Sequence, residues 1–99
     1  MMARVRFEVE EGAERAKYSD AVRITHTPYT FILEFAQFVP PSQEGDPPRL
    51  VVHTRIAMSP QHAKALLKTL EENLKKWESA FGEIKIGKPD YGPPTHLYR

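Results

Sequence analysis

The sequence predicts an α+β domain in two layers, a four-stranded antiparallel β-sheet with one long C-terminal helix lying across one of its faces. Two patterns carry that prediction. Apolar residues alternate with polar ones in four runs before position 59, and from Ser59 to Gly82 they recur at three- and four-residue spacing. The length of 99 residues confines both patterns to one domain.

The first run, Arg4 to Glu10, sets Val5, Phe7 and Val9 opposite Arg4, Arg6, Glu8 and Glu10. From Ala21 to His26, Val22 and Ile24 oppose Arg23 and Thr25. Tyr29 to Phe38 is the most regular, with Tyr29, Phe31, Leu33 and Phe35 on one face and Thr30, Ile32, Glu34, Ala36 and Phe38 on the other. Leu50 to Met58 places Leu50, Val52, Thr54, Ile56 and Met58 against Val51, His53, Arg55 and Ala57. Thr27-Pro28 leaves so little chain between the second and third runs that a hairpin is expected, because proline fixes φ and cannot donate within a central strand. The stretch Val39 to Pro48 holds four prolines and Gly45, which predicts an exposed loop.

The helix is punctuated at both ends. Ser59 is a suitable N-cap, Pro60 occupies the first helical position where no N–H is needed, and Gly82 supplies the stop. Ala63, Leu66, Leu67, Leu70, Leu74, Trp77 and Phe81 form one stripe, expected to be buried on the sheet. Burial of each large side chain there is worth about 1.5 to 3 kcal/mol gross. Charged residues such as Lys64, Lys68, Glu71 and Lys75 fill the opposite side. The expected domain covers residues 1–86, with Ile84 and Ile86 offering a short extra strand, and residues 87–99 form a Pro/Gly-rich tail that frays or docks on a partner.

One helix covers only one sheet face. The other face is expected to present Arg23, Ile32, Phe38, Val51, His53 and Arg55, too apolar for a wholly wetted surface and too polar for a closed core. These six residues are the candidate binding or oligomer face, and a homo-oligomer, with a dimer as its simplest form, is the expected way of covering it.

Composition narrows the chemistry. The absence of cysteine removes disulfides, thiolate metal sites and cysteine nucleophiles. A net charge of +1 gives no global attraction to nucleic acid or to an anionic membrane, and no run approaches the roughly 20 apolar residues of a membrane span. With no apolar leader at Met1-Met2-Ala3, a cytoplasmic protein without membrane attachment is expected. His26, His53, His62 and His96 form no paired ligand motif, so neither a metal nor a cofactor is expected. Ser59 near His62 lacks the glycine elbow of a nucleophilic serine, and its cap role accounts for it. Arg4, Arg6, Arg23 and Arg55 with Phe38 resemble an RNA-binding face, but Glu8, Glu10 and Glu34 offset their charge and no paired stacking aromatics accompany them.

Two segments carry a family resemblance. Ile24-Thr25-His26-Thr27-Pro28-Tyr29-Thr30-Phe31-Ile32-Leu33-Glu34-Phe35 and Met58-Ser59-Pro60-Gln61-His62-Ala63-Lys64-Ala65-Leu66-Leu67, continued through Leu70, Asn73, Trp77, Phe81 and Gly82, resemble a family of small bacterial and archaeal proteins defined as a domain of unknown function. That resemblance implies the fold and no activity. A remoter likeness, of topology alone, is to the SecB export chaperones, which hold unfolded polypeptide clients on apolar surface. The expected function is a non-enzymatic, oligomeric protein-binding or assembly module; a SecB-like holdase, an RNA-binding module and an enzyme follow in that order.

Overall fold

The computed structural model describes residues 4–87 and 97–98. Its sheet is built from β1 (Ala21–His26), β2 (Phe31–Val39) and β3 (Arg49–Met58), followed by α1 (Pro60–Phe81) and a two-residue β4 (Leu97–Tyr98). The order across the sheet is β3-β2-β1-β4, every neighbour antiparallel.

The expected hairpin joins β1 to β2. Its turn is closed by the Thr27 N–H donating to the Thr30 carbonyl at 2.9 Å, while the Thr27 hydroxyl accepts from the Tyr29 and Thr30 amides. Tyr29 therefore belongs to the turn and is exposed, and β2 begins two residues later than the alternation suggested. Asp20 prolongs the pairing: its N–H donates to the Ala36 carbonyl, and its carboxylate accepts from the Phe38 amide at 2.8 Å. The proline-rich connection between β2 and β3 is exposed as expected, with Gly45 at φ +92° in its turn.

The run Arg4 to Glu10 is not a strand. It carries no ladder pairing, and Phe7 is 96% exposed. Alternation states which surface a strand would suit; it does not supply a neighbour. The outer edge of β1 pairs instead with Leu97–Tyr98. Ile84 and Ile86 likewise lie outside any strand. Most of the proposed tail, His96 included, falls outside the described residues.

The larger departure concerns α1. Both of its ends follow the sequence: the Ser59 hydroxyl accepts from the His62 amide at 3.1 Å, and Gly82, at φ +107°, donates its N–H to the Glu78 carbonyl at 2.9 Å. Yet no residue of the helix is buried, and Leu67, Trp77 and Phe81 are 62%, 49% and 73% exposed. The expected second layer is therefore absent within one chain. The cause is local. Ser59 alone separates β3 from α1, and folding a helix back across its preceding strand takes a connection of about two to six residues. The helix runs on past the end of β3, and the chain is elongated, with a radius of gyration of 16.9 Å against about 13 Å for a compact chain of this length.

Candidate functional site

The two faces of the sheet follow from the register. On one, Thr25, Ile32 and Ala57 align, then Arg23, Glu34 and Arg55, then Ala21, Ala36 and Val52, and finally Phe38 with Leu50. On the other, Ile24, Leu33 and Ile56 align, flanked by Phe31 with Met58 and by Phe35 with Thr54. Between Phe35 and Ala36 the register shifts, so His53 is an extra residue in β3.

That bulge corrects the expected site. Arg23, Ile32, Phe38 and Arg55 do share a face, as the alternation indicated. Val51 is paired with Gln37 and lies on the opposite face, while Leu50 and Val52 take the face from which they had been excluded. A one-residue insertion inverts every side chain beyond it, and period two alone gives no sign of where it falls. His53 leaves the group as well. Its Nε2 donates to the Tyr18 carbonyl at 2.7 Å and its Nδ1 meets the Thr54 hydroxyl at 2.8 Å, so both ring nitrogens are engaged. It lies with Phe35, Thr54 and Ile56 along an open groove of about 850 Å³, over which the segment Glu10 to Ser19 passes.

At the centre of the first face, Glu34 is 4% exposed on the middle strand. Arg23 donates to its Oε1 at 2.6 Å from β1, and Arg55 reaches its Oε2 at 2.7 Å from β3. Each carboxylate oxygen thus has its own guanidinium, a cross-strand arrangement that fixes the two outer strands to the central one. The hydrogen bond from Arg23 is the main influence holding the Glu34 carboxyl below the usual carboxylate range; burial opposes it and Arg55 adds to it. The Arg23 guanidinium is raised in turn by the same bond and by the charge of Glu34. Alternation puts these three residues on one face and counts Glu34 only as a charge that offsets the arginines. Their adjacency comes from the register between strands, which the period of each strand does not contain.

The arginines of this face are consequently committed. Their fork geometry suits phosphate, and the single carboxylate they share offsets one of their two positive charges while both side chains stay half or more exposed. Among the described residues no group of three or more His, Asp and Glu side chains is arranged to hold a metal ion, and no helix is long and apolar enough to cross a membrane.

Sheet and helix together also present exposed apolar area. Ala21, Leu33 and Ala36 are the only buried apolar residues among those described. Val52 on the first face, Val51 and Ile56 on the opposite one, and Leu66, Leu67, Leu70, Leu74, Trp77 and Phe81 on the helix are exposed.

A three-stranded antiparallel sheet with one extended helix, held by a cross-strand carboxylate and lacking a closed core, defines a small α+β domain. The chain belongs to the family described as Protein of unknown function (DUF3467), which matches residues 1–86. Comparison with curated proteins and with solved structures finds no match.

Proposed function

We propose that this protein is an oligomeric protein-binding or assembly module without catalytic activity. The observation that supports this reading most is the size of the core: among the described residues three apolar side chains are buried, two of them alanines, too few to offset the conformational entropy of ordering more than eighty residues. Apolar surface on that scale is covered in working proteins by another chain. The surfaces this reading assigns to a partner are the helix stripe and the exposed sheet residues Val51, Val52 and Ile56. Native mass determination after mild cross-linking tests the reading: discrete assemblies support it, and a stable monomer that binds no other protein refutes it.

A second reading, a holdase for unfolded polypeptides, draws on the same exposed apolar area. It requires suppression of aggregation of a denatured client at stoichiometric amounts, reduced by Ile32→Asp with Val52→Asp. Undiminished client aggregation removes it and leaves the assembly reading in place.

A further inference from the structure

Resting on the assembly reading, we propose that α1 is a self-association helix, pairing antiparallel with the α1 of a second copy of this chain. The stripe has a stricter repeat than amphipathicity requires. Ala63, Leu67, Leu70, Leu74, Trp77 and Phe81 are spaced four, three, four, three and four residues apart, which is the a/d pattern of a coiled-coil seam sustained through nearly three heptads. A helix that merely lies on a sheet needs no such seam, and none of its residues is buried against the described part of the chain.

Three features select the occupant and its direction. The first is size. Antiparallel pairing centred on position 72 sets Leu70 against Leu74 of the second copy, Leu67 against Trp77, and Ala63 against Phe81, so small side chains face large ones in the outer layers and volume stays even along the seam. Parallel pairing stacks Trp77 on Trp77 and Phe81 on Phe81 at one end and leaves alanine on alanine at the other.

Charge gives the second. In the antiparallel register Lys64 falls beside Glu78 of the second copy, twice by symmetry, while in the parallel register Lys64 falls beside Ser59 and Glu78 beside Asn73, and neither finds an opposite charge. The two Glu71 side chains meet near the symmetry axis, where each already has Lys75 of its own helix at 3.4 Å. The two Asn73 side chains approach each other on the opposite flank; each amide nitrogen donates to the Thr69 carbonyl within its own helix, leaving the amide oxygen for the facing copy.

Area supplies the third. The large side chains of the seam, Leu67, Leu70, Leu74, Trp77 and Phe81, are between 42% and 73% exposed. Summed over two copies this is roughly 1,000 Å² of surface awaiting cover, near the lower bound for a specific interface. The helix, 22 residues long, spans about 33 Å, so the two sheets end up at opposite ends of the pair with their own faces unobstructed.

The test uses the whole chain, which contains no cysteine and so accepts single spin labels. Labels at Gln61→Cys and, separately, at Glu72→Cys both point away from the seam. Antiparallel pairing predicts an inter-copy distance of roughly 35 to 40 Å at position 61 and roughly 20 Å at position 72, whereas parallel pairing predicts nearly equal distances and overturns the proposal. Charge exchange provides a readout that does not depend on disrupting the seam. Lys64→Glu is expected to weaken association by about fivefold or more, and adding Glu78→Lys is expected to restore it. Absence of rescue contradicts the register. If Leu70→Glu leaves the assembly intact while sheet substitutions dissolve it, self-association through α1 is wrong and the assembly reading survives; a wild-type monomer overturns self-association, and one that also binds no other protein refutes both.

Discussion

Leu67→Ala distinguishes a bare helix from a covered one by the size of its effect. In the single chain Leu67 is 62% exposed, so little more than a third of its side chain is hidden. Full burial of a leucine is worth about 1.5 to 3 kcal/mol, and the hidden portion therefore contributes about 1 kcal/mol or less, part of which alanine returns through its higher helix propensity. Where another chain seals the stripe, the same truncation removes a packed leucine and leaves a cavity, at a cost of about 2 to 5 kcal/mol per copy. Urea denaturation followed by the fluorescence of Trp77, the only tryptophan and a member of the same stripe, reads this difference. Measured at two well-separated protein concentrations, the account predicts a loss of about 2 kcal/mol or more and a midpoint that rises with concentration. A loss below about 1 kcal/mol with a concentration-independent midpoint refutes it.

Other outcomes follow from the sheet and the helix ends. Because the Glu34 carboxyl is held below its unfolded value, the stability it supplies is fully present above the ordinary carboxylate range, about 4.3, and is lost as pH falls through the lowered folded value. Glu34→Gln should therefore lower the thermal midpoint near neutral pH and flatten its decline below about pH 4; an unchanged acid slope argues against the paired arrangement. Leu33→Ala, at the one large apolar side chain buried among the described residues, should cost about 2 to 4 kcal/mol in denaturant titration, and a cost under about 1 kcal/mol contradicts the packing of β2. Ser59→Ala removes the hydroxyl that accepts from His62 and should cost about 1 kcal/mol, whereas Ser59→Asp should retain most of it, both read from thermal unfolding followed by circular dichroism.

The amino-acid pattern held most where the chain decides locally. Ser59, Pro60 and Gly82 mark the helix because capping depends on residues within one turn, and Thr27-Pro28 marks the hairpin because turn chemistry is similarly short-ranged. It held least where an outcome depends on a partner. Val5, Phe7 and Val9 alternate as a strand would, but alternation supplies no neighbour, and the run pairs with no edge of the sheet. The stripe from Ala63 to Phe81 announces that something covers it without naming the cover; the single-residue link at Ser59 was the local sign that its own sheet does not.

The candidate site divides along the same line. Arg23, Ile32, Phe38 and Arg55 were placed together correctly because β1, β2 and the second half of β3 pair in unbroken register. Val51 and His53 were misplaced by a bulge whose position is set by pairing between strands, a long-range property that the period of one strand does not contain. Glu34 was visible as a charge and not as a centre, since its burial depends on two arginines brought to it from separate strands.

Sedimentation equilibrium of the unmodified chain tests the central claim most directly. Apolar surface left bare on both helix and sheet predicts a mass of at least two chains, falling toward the single-chain 11.4 kDa only on dilution and with loss of folded structure as it does. A folded species of 11.4 kDa at every concentration, unfolding cooperatively at a fixed midpoint, contradicts it.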